Sequence, residues 1–335
     1  MKKVSMSEIA KELGISKVSV SKALGDKDGV SEELREKIKH TAQNMGYRIN
    51  NSARSLKTDR QYNIGILIGE KFVMDNEAYY FSVCGEITKK LDAYGTSGIM
   101  EIISFENEKD KILPRVYNEK KVDGIIVLGQ LSNEYLTVLE QMTIPMIYFD
   151  FYRQASKIDS IVADNFCLGY QLTDLLIERG HKEIAYVGSI NATSSIQDRY
   201  LGYYKALIEN NLKLNFDYII DDRDECGKLL EELELPKNMP TAFVCNCDRV
   251  AFTLITKLKS LGIKIPEDVS VVGFDNSLFS TIADPKITTV DNNIEKMVST
   301  AVKVISKKIN NPQKTYDRIL VPGTIIERDS VKSLN

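Results

Sequence analysis

The chain has 335 residues, 43% of them hydrophobic and 27% charged, with a formal net charge of −3 at pH 7. That length suits two or three domains with cores large enough to need no disulfide staples, and no run approaches the length of apolar chain that spans a bilayer. Met1-Lys2-Lys3 leads into polar Ser5, Ser7 and Glu8 rather than a secretory signal, and the odd set of Cys84, Cys167, Cys226, Cys245 and Cys247 lacks metal-ligand spacing, as expected of reduced thiols in a cytoplasmic protein.

The charge is unevenly distributed. Residues 1–60 hold 13 Lys/Arg against 8 Asp/Glu, so they sum to +5, and the remaining 275 residues hold 31 against 39, so they sum to −8. A basic head on an acidic body brings one end of the molecule to phosphate and repels the rest. Within that head, Ser5-Met6-Ser7-Glu8 reads as a capping box, with Ile9, Ala10 and Leu13 on one helical face and Gly14 as the stop. Ser16 is placed to cap a second helix, with Val18, Val20, Ala23 and Leu24 as its candidate apolar positions, and a third runs from Ser31 through Leu34, Ile38 and Ala42 to Gly46. A small residue, a tight turn and a second helix make a helix-turn-helix, whose second helix enters the major groove by its N-terminal end. Lys17, Val18, Ser21 and Lys22 are then the candidate base-edge contacts, and Ser16 suits phosphate or capping.

Residues 49–60 are polar and poor in core positions, a length of helix that is marginal alone. Folded on bent DNA, they place Ala53 and Leu56 on one face, with Leu56 as a wedge between base steps and Asn50, Arg54 and Lys57 beside it on the nucleic acid. From Val4 to Lys57 the chain resembles the DNA-binding head and hinge of the lactose-repressor (LacI/GalR) family. The residues that carry the resemblance include Ser7-Glu8-Ile9-Ala10, Gly14-Ile15-Ser16, Val20-Ser21-Lys22-Ala23-Leu24, Gly46-Tyr47 and Ala53-Arg54-Ser55-Leu56-Lys57. The resemblance implies a homodimer whose two heads sit on a palindromic double-stranded operator. Where the family usually has Arg this chain has Lys22, which cannot make the two-pronged guanine contact of a guanidinium.

Beyond residue 60 the pattern changes to apolar strands alternating with amphipathic helices. Tyr62–Ile68, Gly98–Ser104, Gly124–Leu128, Met146–Asp150, Ser160–Ala163, Glu183–Gly188, Tyr218–Ile220, Ala242–Cys245 and Val269–Phe274 read as strands, and a helix runs from about Tyr80 to Ala93, closed by Gly95. These are too many strands for one sheet. The expected fold class is therefore an all-α helix-turn-helix head plus an α/β core of two doubly wound parallel-sheet lobes, with ligand between the carboxyl ends of the strands. Polar residues gather at those ends. Asp150, Asp164, Asp248 and Asp275 follow strands, Arg199 enters the Tyr203–Ile208 helix, and Tyr79 and Tyr80 offer an aromatic wall. For each Asp taken singly, capping the next helix is the competing role.

The lactose-repressor resemblance extends over this core through Gly180-His181, Asp198-Arg199-Tyr200-Leu201-Gly202-Tyr203, Ile265-Pro266 with Asp268–Asp275, and Thr288-Thr289-Val290. It implies a periplasmic-binding-protein-like fold with chain crossings near residues 160, 290 and 320. The head is then 1–48, the hinge 49–60 and the effector-binding and dimerisation core 61–335. The N-lobe comprises about 61–160 and 291–320, and the C-lobe about 161–290 and 321–335. In relatives the residues matching Arg199 and Asp275 hold the effector, and those matching Asp150 and Tyr79 line the pocket. Cys247-Asp248 stands where many sugar-responsive relatives have Asn-Asp, the chain has no tryptophan, and no aromatic lies near Asp224-Glu225-Cys226. No heptad run follows Pro322–Arg328 to join dimers into tetramers.

The reading is a DNA-binding repressor controlled by a small ligand, a sugar. The alternative is a catabolite-type global regulator that answers a phosphorylated carrier protein. With His40 and His181 as its two histidines and no nucleophile elbow, phosphate loop or metal-ligand spacing, the chain is not expected to be an enzyme or to need a cofactor, a metal or a membrane.

Overall fold

The computed structural model describes residues 4–25, 27–47, 63–75, 77–224 and 227–335. The chain divides into two compact units, 1–61 and 62–335. In the first, α1 (Met6–Leu13), α2 (Lys17–Leu24) and α3 (Glu32–Asn44) enclose Ile9, Ala10, Val20, Ala23, Ile38 and Ala42. Ser5 and Glu8 form the reciprocal capping box, with the Ser5 amide donating to Glu8 Oε2 at 2.7 Å. Gly14 takes the left-handed conformation (φ 64°) that turns the chain out of α1, and Ser16 and Ser31 cap the next two helices. Val18, expected among the apolar positions of α2, is 64% exposed and lies outside this core. The hinge residues Asn50, Ala53, Arg54, Leu56 and Lys57 lie outside the described residues.

The second unit holds two six-stranded sheets. The first comprises β1 (Asn63–Gly69), β2 (Ser97–Ile103), β3 (Gly124–Leu128), β4 (Met146–Phe149), β5 (Asp159–Ala163) and β11 (Arg318–Val321), in the order β11-β5-β4-β3-β1-β2 and parallel throughout. The second comprises β6 (Ile184–Val187), β7 (Ile219–Ile220), β8 (Ala242–Cys245), β9 (Ser270–Phe274), β10 (Thr288–Asp291) and β12 (Thr324–Ile326), in the order β12-β10-β9-β8-β6-β7, with β12 alone antiparallel to its neighbour. Buried strands such as Gly124–Leu128 and Ser270–Phe274 are apolar at nearly every position because helices cover both faces. The chain passes between sheets after β5, after β10 and after β11. β5 keeps to the first sheet as far as Ala163, close to the crossing expected near 160, because it pairs with β11 to the end of the strand. β10, β11 and β12 were not among the expected strands.

A buried ion pair fastens the lead-in to β11. Lys308, on the helix Ile294–Asn310, donates to Asp159 Oδ2 at 2.6 Å, while the other oxygen of Asp159 accepts the amides of Tyr316 and Asp317 at 2.7 and 2.8 Å. The pair thus ties the helix, β5 and the lead-in to β11 together. His181 is also structural, being buried between the Thr241 hydroxyl and the Lys332 carbonyl. Among the described residues no helix is long and apolar enough to cross a membrane. Replacing Lys308 by Met strands the Asp159 carboxylate in the interior. It is expected to cost about 3 kcal/mol, read as a lower midpoint in urea unfolding with an unchanged slope.

Candidate functional site: a cleft between the two lobes

The cavity between the sheets is lined from the first lobe by Phe72, Tyr79, Tyr80, Gln130 and Asp150, and from the second by Thr193, Ser195, Ile196, Arg199, Arg223, Leu229, Asn246, Cys247 and Asp275. Its centre is Arg199. The helix that carries it runs Ser194–Glu209, so it begins nine residues before the expected start at Tyr203. It packs tightly on the helix Asn165–Glu178. A Cβ on Gly202 would sit 2.2 Å from the Phe166 carbonyl oxygen, and one on Gly169 would sit 2.4 Å from that of Arg199, so only glycine allows this approach.

The guanidinium is buried and fully directed. Nε donates to Asn165 Oδ1 at 2.7 Å, one terminal nitrogen to the Asn246 carbonyl at 2.5 Å, and the other to Asp275 Oδ1 at 3.2 Å, while the Phe274 ring lies 4.4 Å away. Burial works against its charge, but Asp275 and Asp150 outweigh that and hold its pKa above the ordinary arginine value. Asn292 steadies the same Asp275 oxygen at 2.8 Å. Asp150 and Asp275 both occupy left-handed backbone, at φ 69° and 96°, a conformation that costs energy in a residue with a side chain. That turn presents both carboxylates at the cleft rather than along their strands.

Asp150 has no comparable partner. Its Oδ1 is buried and accepts no hydrogen bond, as is true of the buried Tyr79 hydroxyl. Burial pushes the Asp150 carboxyl up to about 7, with Arg199 pulling down and Asp275 pushing further up. Burial likewise drives the Cys247 thiol up to about 12, so it faces the cavity as a neutral, weakly polar group. The lobes also meet beside the cavity. Ser195 donates to the Asp150 carbonyl at 2.6 Å, the Ser194 amide to Gln130 at 2.8 Å, the Tyr152 amide to the Ser194 hydroxyl at 3.0 Å, and the Tyr152 hydroxyl to Asp198 at 2.9 Å.

With this geometry in place, the comparisons with known proteins are informative. The pattern of bacterial regulatory proteins of the lacI family matches residues 5–50, and that of the periplasmic binding protein-like domain matches residues 173–331. The HTH-type transcriptional regulator RegA of Clostridium saccharobutylicum is 31% identical over 334 residues, 97% of this chain and 98% of that protein. This chain belongs to the lacI family. Its fold is also that of the lac repressor dimer bound to operator and the anti-inducer ONPF, at a TM-score of 0.77 and 20% identity over 99% of this chain and all of that one. A lacI-family regulator from Enterococcus faecium with bound ribose has a TM-score of 0.68 and 25% identity over 82% of this chain and all of that one. LacI-family proteins of this architecture are DNA-binding transcriptional regulators with a ligand-binding core.

Of the residues singled out from sequence, Tyr79, Tyr80, Asp150, Arg199, Cys247 and Asp275 converge on the cavity. Asp164 and Asp248 do not line it. Asp164 caps the helix Asn165–Glu178 through the Cys167 amide at 3.2 Å. Asp248 is buried and engaged by the Thr289 hydroxyl at 2.5 Å and the Ser277 amide at 2.7 Å, so its oxygens brace the C-lobe. Asn246 takes a cleft position one residue earlier, and its amide is tied to Asp222 and to the Val187 carbonyl at 2.7 and 3.0 Å. Phe72, Gln130, Arg223 and Leu229 carry no periodic signal, because Phe72 lies on a helix of 6 residues, Glu70–Asp75, and the other three lie in connections. The adjacent charges of Asp222 and Arg223 were the one available signal.

In the lacI-type head, Ser16, Lys17, Val18 and Ser21 are exposed along α2, and Lys22 is half-buried. Arg35, 9% exposed, reaches from α3 to donate to the Ala23 and Lys27 carbonyls at 3.3 and 2.9 Å, which pins the end of α2.

Burial also lifts the Asp248 carboxyl to about 7, with Asp275 adding to the shift and the Thr289 and Ser277 hydrogen bonds opposing it. Above its ordinary value of 3.8 the unfolded chain releases this proton while the folded chain keeps it up to about 7. The wild type therefore loses stability from this group as pH rises across that window. Asp248→Asn keeps an acceptor and cannot ionise. Thermal melts from pH 5 to 8 are expected to show the variant gaining a few degrees on the wild type as pH rises, and parallel curves would contradict the assignment.

Proposed function

We propose that the protein is a transcriptional repressor that binds a palindromic operator as a homodimer and is controlled by a small polyhydroxylated effector, a sugar, held between the core lobes. The observation that carries this reading is the cleft itself. A buried guanidinium committed to Asp275 sits on one lobe, an unsatisfied Asp150 and Tyr79 on the other, and hydroxyl-rich ligands both donate and accept in fixed directions. The space enclosed is about 60 Å³, room for a few water molecules. Admission of a larger ligand therefore parts the lobes and breaks hydrogen bonds made by Ser194, Ser195 and Tyr152. An effector shifts the balance between lobe angles by its difference in affinity for the two states. In the dimer, that angle governs whether the two hinge segments, with Asn50, Ala53, Arg54, Leu56 and Lys57, fold together on DNA.

In the head, Lys17, Val18, Ser21 and Lys22 read base edges and Ser16 contacts phosphate. Lys17→Ala and Lys22→Ala are each expected to weaken operator binding by about 1–3 kcal/mol, measured by fluorescence anisotropy with unchanged far-ultraviolet circular dichroism. Gel shifts on DNA flanking the protein's own gene, with and without a panel of sugars, test the whole reading. The expected result is a shifted complex released by at least one sugar, with affinity falling steeply as salt rises. No shift on any such DNA sinks the repressor, and a shift that answers a phosphorylated carrier protein but no sugar replaces the sugar effector with that partner.

A further inference from the structure

The cleft's two acidic groups are unequally served. Asp275 receives Arg199 and Asn292, and each nitrogen of Arg199 already has an acceptor in Asn165, Asn246 or Asp275. The second guanidinium at the cavity, Arg223, sits 3.3 Å from Asp222. Asp150 is left with a buried, unpartnered oxygen, set into the cavity by its left-handed backbone. Around it stand aromatic rings. Phe72 and Tyr80 lie 4.8 Å apart between centroids, and Tyr79 meets Tyr80 edge-on at 5.1 Å and 89°. Arg199 acts on this carboxylate through space without bonding to it, and Lys71 already holds its ammonium 5.0 Å from the Phe72 centroid. A carboxylate oxygen with no hydrogen-bonded cation beside several aromatic faces is the arrangement that attracts an ammonium group, through charge on one side and ring quadrupoles on the other. The Tyr79 hydroxyl is also buried and unpartnered and can accept as well as donate, and a primary ammonium brings three donors, enough for both oxygens, where a hydroxyl brings one.

We propose that the effector carries a primary ammonium group seated against Asp150 and Tyr79 among the rings of Phe72 and Tyr80, so that the ligand is a hydroxylated amine such as an amino sugar. The proposal rests on the cleft being the effector site. The charged and titratable groups facing Asp150 are Arg199, Asp275, Tyr79, Tyr80 and Arg223. Of these, Arg199 and Arg223 repel an incoming cation, and their placement against Asp275 and Asp222 offsets that repulsion. Burial lifts the Asp150 carboxyl to about 7, so below that pH the amine must displace a proton from it.

Isothermal titration of the full chain at pH 7.5 tests this with D-glucosamine, D-galactosamine and D-mannosamine. Each is set against its parent hexose and its neutral N-acetyl derivative. At least one amine is expected to bind about tenfold tighter than both neutral counterparts, and Asp150→Asn is expected to erase that advantage while leaving the thermal melt of the free protein cooperative. The amine's affinity should pass through a maximum with pH, falling on the acid side as Asp150 gains a proton and on the alkaline side as the amine loses its own. Neutral sugars should show no such peak. Failure of every amine to bind, neutral sugars binding as tightly, or an advantage that survives in Asp150→Asn overturns the proposal. Neutral sugars that bind as tightly as the amines and lose that binding in Arg199→Lys remove the amine and leave the cleft as the effector site. Binding indifferent to both Arg199 and Asp150 removes the cleft reading as well.

Discussion

The core is organised around one buried guanidinium. Arg199 is a full charge removed from water, which is tolerable only because Asp275, Asn165, the Asn246 carbonyl and the Phe274 ring meet it from four directions. Those partners come from the helix Asn165–Glu178 and from the ends of β8 and β9, so satisfying the charge fixes where the strand ends of the second lobe stand. The close contact at Gly169 and Gly202 belongs to the same constraint, since the helix bearing Arg199 must lie almost against its neighbour for the side chain to reach. On the facing lobe, by contrast, Asp150 Oδ1 and the Tyr79 hydroxyl are buried without a hydrogen-bond partner.

Much of the architecture was legible in the sequence, and the reason differs by element. The head declared itself through local chemistry: Ser5 with Glu8, Gly14, Ser16 and Ser31 act within a few residues of themselves, and the structure shows each doing so. The inner strands read clearly because burial on both faces makes them apolar without interruption. β10, β11 and β12 are not legible because Thr288–Asp291 has polar residues in place of an apolar run, and β11 and β12 are edge strands with exposed positions.

The site was harder. An aspartate directly after a strand looks the same whether it faces a cleft, caps a helix or braces a neighbouring turn. Asp150, Asp164 and Asp248 do these three things respectively, and what separates them is which backbone amides and hydroxyls arrive from distant segments, among them Ser277 and Thr289. The same limit explains why Asn246 was passed over for its neighbours. Its role is decided by Asp222 and Val187, far away in the chain.

The triple passage of the chain between the sheets limits how the two lobes can move against each other. A single connecting strand would let one lobe swivel and twist freely against the other. Three connections suppress torsion and leave bending about a common axis as the soft motion. Movement of one lobe against the other then reduces to one number, an opening angle, and a gauge with a single reading is well suited to working a switch.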